Sequence, residues 1–389
     1  MKGQVHVSVI STTGPVWLDS RNIGINGGTG VARYTQDLAT CLGDLGISTA
    51  FVQGVRPDGK SLSGGKLDAL QRLLRATLPW RHVGEVHDVP YCPDLYRTAH
   101  VRFKTFGRLT SFDTAMSPAL MHWTYPLPMV MQGCRNIVTI HDLVPILNPN
   151  LTGIDPTHFA RLLRELLPRM DAIVTVSETV RQQLIEILNI SPSRITNLYQ
   201  MVDIDREAVM KSERIIPSDS IIHIGRVETR KNIERLIAGY ARSRSHRPLV
   251  LVGPDGDDRP DMSLPEGPGQ VIRIPWIERF SLLRGLAEAH MLVFPSLGEG
   301  FGLPIIEAMA LGTPVITSCG GATGEIADNA AYLVDPFDVK AIGDAIAVLD
   351  SMDKHAGLCG DLVQRGYVRA EFFSRMAYGT RLKAFYERF

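Results

Sequence analysis

A glycine-rich segment in the second half of the chain carries two glutamates at a spacing that suits ligand binding. Residues 295–310 have the sequence PSLGEGFGLPIIEAMA and follow an apolar, strand-like run at 291–294. A strand that ends in a glycine-rich turn before a helix leaves backbone N–H groups free, and these can bind a diphosphate. Glu299 lies in this turn and Glu307 about two helical turns later, so their carboxylates can reach opposite ends of one extended ligand. The predicted turn residues are Gly300, Phe301, Gly302 and Leu303.

Two features of the first half also follow strand-like segments. A glycine-rich loop before residue 31 lets backbone approach a ligand closely. It is not a dinucleotide fingerprint, because the third glycine of that motif would fall at Arg33. His141 follows the strand-like run at 137–140, although a lone histidine is more often structural than catalytic. The loop residues singled out as ligand-binding are Gly28, Thr29 and Gly30.

Together, these segments resemble the family 4 retaining glycosyltransferases, which have the GT-B fold. The 295–310 segment resembles the E-x7-E motif of that family, and it is accompanied by three further segments along the chain. These are HDLVP at 141–145, TVSE at 175–178, and GR at 225–226 followed by RKNI at 230–233. The resemblance implies an α/β GT-B fold, with two doubly wound Rossmann-like domains facing each other across a cleft.

The resemblance also implies roles for individual residues. Arg226 and Lys231 would bind the donor diphosphate, which suits two cations because the leaving group gains negative charge as the glycosidic bond breaks. Glu299 and His141 would contact the donor sugar, and Glu307 would accept hydrogen bonds from the ribose, since carboxylates suit vicinal diols. The loop at 28–30 would face the donor phosphate. Arg226 and Lys231 could alternatively be a surface pair at a helix start.

No metal is predicted, and no cofactor besides the nucleotide diphosphate-sugar substrate. Asp203 and Asp205 imitate the D-x-D pair that holds Mn²⁺ or Mg²⁺ on a diphosphate, but they lie in the predicted linker, where the family usually has V-D. The acidic loop of Asp255, Asp257 and Asp258 is better explained as solvated turn residues.

The implied reaction is hexose transfer with retention, by front-face substitution without an enzyme nucleophile. Mannose from GDP-mannose is the preferred donor, because RKNI and HDLVP look most like the bacterial mannosyltransferases of surface-polysaccharide assembly. The predicted acceptor is a glycan or a polyprenyl-diphosphate-linked oligosaccharide. A GT-B sugar-nucleotide epimerase and a non-catalytic nucleotide-sugar-binding protein stay open as alternatives. The chain departs from the family pattern at two places. One departure leaves the contacts of Glu325 open. At the other, Arg375 stands where relatives often carry Trp.

Strand-like runs alternate with helical patterns throughout, which predicts βαβ units around parallel sheets. The N-terminal acceptor-side domain is expected at 1–205, with a closing helix at 372–389 packing back on it. The nucleotide-sugar-binding domain is expected at 206–371, after an aperiodic linker at 197–220. The predicted strands are 5–10, 49–52, 137–140, 172–176, 221–224, 249–252, 271–274, 291–294 and 314–317.

Composition indicates a cytoplasmic protein of two domains. Its 389 residues exceed what one core usually spans, and 41 basic residues balance 41 acidic ones, which argues against nucleic-acid binding. The five cysteines form no C-x-x-C, and we expect no signal peptide. Residues 56–110 hold ten basic and five acidic residues among leucines and Trp80. This pattern suits a helix on an anionic membrane surface, or equally a solvated helix packed on its own domain.

Overall fold

The structure is a computed structural model that describes residues 14–23, 30–55, 66–78, 80–256, 258, 260–263 and 268–389, with the backbone alone at 66–70. The predicted strand at 5–10 and the loop residues Gly28 and Thr29 lie outside these ranges. The described strands are β1 (Val16–Asp19), β2 (Thr49–Val52), β3 (Trp80–His82), β4 (Gly84–Val86), β5 (Val89–Tyr91), β6 (Thr110–Asp113), β7 (Leu120–Trp123), β8 (Met129–Met131), β9 (Arg135–Ile140), β10 (Ala172–Thr175), β11 (Ile195–Asn197), β12 (Ile221–Ile224), β13 (Leu249–Val252), β14 (Val271–Ile274), β15 (Met291–Phe294), β16 (Val315–Ser318) and β17 (Tyr332–Val334).

The α-helices alternate with these strands over most of the chain, as βαβ units require. The helices within the described ranges are α1 (Gly30–Asp44), α2 (Lys66–Thr77), α3 (Leu95–Phe106), α4 (Val144–Leu147), α5 (Pro156–Leu166), α6 (Glu178–Leu188), α7 (Arg206–Lys211), α8 (Ile233–Ser243), α9 (Arg279–Glu288), α10 (Leu303–Leu311), α11 (Gly321–Ala327), α12 (Val339–Asp350), α13 (Gly357–Phe372) and α14 (Arg375–Tyr386). None of them is both long enough and apolar enough to cross a bilayer.

Two six-stranded parallel sheets organise the molecule. The N-terminal sheet has the order β11-β10-β9-β7-β1-β2, and the C-terminal sheet has the order β14-β13-β12-β15-β16-β17. Numbered within its own domain, the second order is 3-2-1-4-5-6, that of the doubly wound dinucleotide-binding fold. The α/β class with two Rossmann-like halves is therefore confirmed.

Burial accounts for three of the strands that the sequence predicted, although β1 and β7 are buried throughout as well and were not predicted. All four side chains of β12, β13 and β15 are buried, and strands covered on both faces form continuous apolar runs. The strand predicted at 314–317 instead runs from Val315 to Ser318, and that at 172–176 ends at Thr175. Strands that no prediction covered are β1, β7, β11 and β17, besides the short strands of the two smaller sheets.

The chain passes between the sheets at two adjacent places. The backbone N–H of Val202, after β11, donates to the carbonyl of Phe373, between α13 and α14, over 2.8 Å. The predicted linker is not wholly irregular, because α7 lies within it and begins at the side-chain cap of Asp205. The closing helix is shorter than the predicted 372–389 segment. It packs against α1, and its Arg375 forms a two-pronged ion pair with Asp44 at 2.7 and 2.8 Å.

Candidate active site

The strand order of the C-terminal sheet reverses between β12 and β15, so the chain leaves these two strands toward opposite edges of the sheet. This place is the switch point of the sheet. Open α/β sheets bind ligands in the crevice at this point. Two hydrogen bonds tie the loops together: Leu297 N–H donates to the carbonyl of Arg230 at 2.9 Å, and the Asn232 side chain donates to the carbonyl of Pro295 at 3.0 Å. Residues far apart in sequence are thus fixed beside each other.

Glu299 is the centre of a buried ionic cluster on these loops. Its Oε1 accepts from Lys231 Nζ and from Ser296 Oγ, each at 2.5 Å, and its Oε2 lies 3.5 Å from Arg230 Nη1. Burial alone would raise the pKa of Glu299, but the charges of Lys231 and Arg230 outweigh it and lower the pKa to about 2. The carboxylate is therefore ionised throughout the physiological range.

The two predicted cations occupy different environments. Lys231 is buried, and its Nζ lies 4.8 Å from the centroid of the Phe294 ring. Its aliphatic stem also packs on Gly225, since a Cβ placed there would lie 3.2 Å from Lys231 Cε. Arg226, the next residue, is exposed and has no hydrogen-bond or ion-pair partner in the part of the chain that the structure describes. Gly225 therefore lies beside two cations: Lys231, which is held by its partners, and Arg226, which has none among the described residues.

The glycine-rich turn touches the first domain directly. A Cβ on Gly300 would lie only 1.7 Å from the carbonyl oxygen of His141, so no side chain fits between the two loops. Gly302, with φ of 99°, occupies the left-handed region immediately before α10. Phe301 is buried, and its ring meets Phe373 edge-on at 5.4 Å. These contacts place the turn in the interdomain cleft.

The remaining predicted turn residue also faces the first domain. A Cβ on Gly30, at the start of α1, would lie 3.9 Å from Leu303 Cδ1. The glycine loop and the start of α10 therefore meet across the cleft, at the one residue of Gly28, Thr29 and Gly30 that the structure describes.

Glu307 lies one turn after the start of α10, where its side chain is buried and already forms an ion pair. Arg279, the first residue of α9, bonds both of its oxygens, with Nη1 to Oε2 at 3.1 Å and a second contact from Nη2. Arg279 also lies near Asp37 on α1, whose pKa burial raises to about 6 in spite of Arg33. Sequence reasoning missed Arg279, because only the tertiary structure brings α9 against α10.

His141 is neutral and oriented. Its Nε2–H donates to the carbonyl of Thr124 at 2.8 Å, and its ring meets Tyr34 edge-on at 4.9 Å. Burial lowers the pKa of His141 to about 4. Burial raises the pKa of the adjacent Asp142, and the positive charge of Arg230 opposes this shift only in part.

Asp19, which no motif singled out, fixes Thr124, whose carbonyl accepts the hydrogen bond from His141. It is fully buried at the end of β1, beside the switch point of the N-terminal sheet. Its Oδ2 accepts from the N–H and the hydroxyl of Thr124 at 2.5 and 2.9 Å, while Oδ1 has no hydrogen-bond partner among the residues that the structure describes. The sequence feature that could have pointed to Asp19 is a carboxylate at the end of an apolar run, VWLD.

The acidic residues considered as metal ligands have other partners. Asp203 pairs with Arg375 at 3.2 Å, Asp205 caps α7, Asp255 pairs with Arg273 at 3.0 Å, and Asp258 accepts from Thr229 N–H at 2.8 Å. Asp257 lies outside the described residues. The described side chains include no cluster of three or more His, Cys, Asp or Glu residues able to hold a metal ion.

Two family models match the chain, one in each half. Residues 28–206 match "Glycosyltransferase Family 4", and residues 218–350 match "Glycosyl transferases group 1".

Curated relatives include mannosyltransferases of enterobacteria. The serotype-specific mannosyltransferase WbdA of Escherichia coli is 29% identical over 242 residues, which are 57% of this chain. This match spans only 30% of WbdA. The O-antigen chain mannosyltransferase RfbU of Salmonella typhimurium is 29% identical over 257 residues, 63% of this chain and 67% of RfbU.

Solved structures share the fold over nearly the whole chain. Sucrose-phosphate synthase from Thermosynechococcus elongatus superposes with a TM-score of 0.67 at 19% identity, covering 96% of this chain and 98% of the other. Anabaena HepE, solved in complex with UDP and glucose, gives a TM-score of 0.60 at 13% identity, covering 96% and 99%.

Proposed function

Because both halves of the chain match glycosyltransferase models, it belongs to the GT-B glycosyltransferases of family 4, and we propose that it transfers a hexose from a nucleotide diphosphate-sugar to a glycan. The proposal includes retention of anomeric configuration and independence of metal ions. Mannose from GDP-mannose is the proposed donor, which the similarity to WbdA and RfbU supports.

One observation carries this proposal: Lys231, Arg230 and Glu299 form a buried cluster on the two loops of the switch point, with Arg226 exposed beside it. Fixed cations at this place stabilise the negative charge that develops on a departing diphosphate. The start of α10, which faces Gly30 across the cleft, carries the positive end of the helix dipole and would add to this stabilisation. In the proposed reaction, the departing diphosphate oxygen takes the proton of the acceptor hydroxyl, so no enzyme nucleophile is required.

A thermal-shift panel of nucleotide sugars tests the donor. A ligand that binds the folded protein at 100 times its Kd stabilises it by about 2.7 kcal/mol. We expect GDP-mannose to raise Tm more than GDP-rhamnose, UDP-glucose or UDP-galactose do. A larger shift with a uridine donor contradicts the GDP-mannose proposal, and no shift with any of them contradicts the transferase proposal.

Replacing the buried ammonium tests the mechanism. Lys231→Met retains the apolar stem but removes the charge, and we expect turnover to fall by about a hundredfold or more. The double variant K231M/E299Q also neutralises the carboxylate, which in the single variant keeps only Arg230 and Ser296 as partners. If K231M has a lower Tm and the double variant regains it, the lost stability comes from the uncompensated charge and is separate from the loss of turnover. Full activity in K231M contradicts the proposal.

We also propose that the segment after β2 contacts an anionic membrane surface, where a lipid-linked acceptor would be found. Its apolar side chains Leu74, Leu78 and Trp80 are 60%, 58% and 58% exposed, which is the observation that supports this surface. Two of the cations in this segment already form hydrogen bonds within the protein. Arg81 bonds the carbonyl of Pro93 at 2.6 Å, and Arg102 caps the end of α2.

Liposome flotation tests this surface. The protein should float with vesicles that contain phosphatidylglycerol and not with neutral ones, because the cations left at the surface attract anionic lipid. Trp80→Ala should weaken flotation, and Trp276→Ala, which removes a tryptophan of the other domain that is 67% exposed, should not. Equal flotation of both variants contradicts the proposed surface.

A further inference from the structure

Glu307 lies on the side of α10 that faces the first domain. It follows Leu303 by four residues, which places both on one face of the helix, and a Cβ on Gly30 would lie 3.9 Å from Leu303 Cδ1. Arg279, the ion-pair partner of Glu307, lies near Asp37 of α1 in the first domain. The pair of Glu307 and Arg279 therefore borders the cleft in which the proposed donor binds.

Arg279 holds the Glu307 carboxylate with a two-pronged contact. Its Nη1 donates to Oε2 at 3.1 Å, and its Nη2 contacts Oε1. The planar guanidinium matches the plane of the carboxylate, so the two contacts fix the orientation of the acid, which a single bond from a lysine would not do. Only 6% of the Glu307 side chain is exposed, so the atoms packed around it also restrict its movement.

The pairing leaves part of the carboxylate able to bind a ligand. Each carboxylate oxygen has two lone pairs, and Arg279 uses one on each oxygen. Among the residues that the structure describes, no other group donates a hydrogen bond to the Glu307 side chain. One acceptor position therefore remains on each oxygen, and two neighbouring hydroxyls of a sugar match this arrangement.

The same contact makes Arg279 a poor ligand for the diphosphate itself. Glu307 engages both of its terminal nitrogens, whereas Arg226 is exposed and has no partner in the described part of the chain. A phosphate could reach the Arg279 guanidinium only by displacing a buried carboxylate, which would then be left without its opposite charge. The arginine is therefore better suited to act through Glu307.

We propose that Arg279 is a positioning residue: by fixing the plane of Glu307, it makes the nucleotide site selective for a ribose that carries both hydroxyls. The inference rests on the proposed function, which it deepens by naming the group that orients the ribose-binding carboxylate. Two acceptors held in place bind a vicinal diol without the entropy cost of ordering the carboxylate first. The arginine fork and the ribose hydroxyls should therefore contribute to the same part of the binding free energy.

A thermodynamic cycle between protein and nucleotide tests this role. Isothermal titration calorimetry gives the Kd of GDP and of 2′,3′-dideoxy-GDP for the wild type and for Arg279→Lys, which retains the charge and removes the fork. We expect the wild type to bind GDP about tenfold more tightly than the dideoxy nucleotide, because hydrogen bonds to a carboxylate are strong. In R279K this preference should fall to about threefold or less. UDP and 2′,3′-dideoxy-UDP are titrated in the same way, so that the ratio does not depend on the base.

Arg214→Lys is the matched control. Arg214 also bonds both oxygens of a glutamate, Glu288 at the last position of α9, at 2.6 and 2.8 Å. R214K loses the same kind of fork at the other end of the same helix, and it should keep the wild-type preference for the diol. Arg279→Gln, which can donate only neutral hydrogen bonds to Glu307, is titrated as well, so that the cycle does not depend on the folding of one variant.

The outcomes separate this inference from the proposed function. A wild-type preference that persists in R279K and R279Q overturns the inference, and if both nucleotides then bind more weakly, Arg279 contacts the diphosphate instead. An equal fall of the preference in R214K overturns it too. A wild type without any preference shows that Glu307 does not bind the diol, which overturns the inference but not transfer from a nucleotide sugar. Failure of both GDP and UDP to bind the wild type contradicts the proposed function as well.

Discussion

Two buried carboxylates illustrate how neighbours decide the state of a residue. Glu299 has two cations within 3.5 Å, which lower its pKa to about 2. Asp19 accepts hydrogen bonds, among them two from Thr124, but burial outweighs them and raises its pKa to about 6. Transfer from water disfavours the charged form in both cases, but only Glu299 is compensated by opposite charge. The same functional group is therefore firmly ionised at one site and poised to titrate at the other.

The raised pKa of Asp19 predicts a pH-dependent effect of its replacement. Its carboxyl titrates near 3.8 when unfolded and about 6 when folded, so stability present below pH 3.8 is lost as the pH rises through 6. Asp19→Asn removes this penalty. The Tm of D19N relative to wild type should therefore be more favourable at pH 7.5 than at pH 4.5, as measured by scanning fluorimetry.

Asp361→Asn, which removes an exposed carboxylate on α13, controls for the loss of a charge. If D19N gives the same Tm difference from wild type at both pH values, the buried carboxylate does not titrate in the expected window, and this prediction is wrong.

At the scale of elements, loops and helix ends bring the two domains together. Glycine permits the turn before α10 to lie against the loop after β9. At a second contact between the domains, Glu325 of α11 reaches across to α6. Its carboxylate accepts from the N–H groups of Glu178 and Thr179, both at 2.7 Å, and from the Thr179 hydroxyl at 2.6 Å. A helix start in one domain is thus capped by a side chain from the other.

Gly300→Ala should hold these domains apart. The new Cβ would overlap the His141 carbonyl oxygen, so the two loops must separate by more than an ångström. A displacement of that size costs about a hundredfold in kcat/KM when it separates substrate-binding groups. Gly379→Ala, in α14 with nothing within 4 Å of the added Cβ, should leave turnover unchanged and raise Tm. Normal kinetics in G300A would show that the cleft does not close in this way.

Glu325→Ala should loosen the same closure from the other side. Loss of a helix cap costs about 1 kcal/mol, and here it also removes an interdomain bond. We expect a lower Tm together with a larger radius of gyration in X-ray scattering. Ser177→Ala removes the other cap of α6, from Ser177 Oγ to Val180 N–H, which lies within one domain. It should lower Tm without expanding the molecule. Expansion in both variants would contradict an interdomain role for Glu325.

At the scale of the whole molecule, the C-terminal segment fastens the second domain to the first. Tyr386 of α14 bonds His122 Nδ1 of β7 at 2.5 Å, in the core of the N-terminal sheet. Phe373, just before α14, packs edge-on against Tyr199 at 5.5 Å and against Phe301 of the active-site turn. The interdomain crossing is therefore in contact with the glycine-rich turn that is proposed to bind the donor.

Tyr386→Phe should destabilise the whole chain. It leaves a buried ring nitrogen of His122 without a partner, which costs about 1–3 kcal/mol, measured by urea unfolding. Tyr378→Phe is the matched control, because it removes a buried hydroxyl from the same helix that is not bonded to His122. A similar loss in both variants would mean that packing, and not the bond to His122, is what the tyrosine contributes.

The sequence by itself determined the repeating elements and the local motifs. Apolar runs such as β12 and β15 are buried on both faces, and so they are visible without knowledge of their neighbours. The glycine-rich turn with Glu299 and the loop with Lys231 could be predicted for the same reason, because each is a local signal at the end of such a strand. The family and the fold class followed from these segments.

Only the tertiary structure decided which charges meet. The pairing of Glu307 with Arg279, the bond from Asp19 to Thr124 and the cap that Glu325 provides each join segments distant in sequence. The strand β7 was missed because its sequence, LMHW, contains no β-branched residue, whereas the equally short β12 and β15 do. Electrostatic and hydrogen-bond partners depend on distance in space, which sequence spacing fixes within one helix or strand but not between domains.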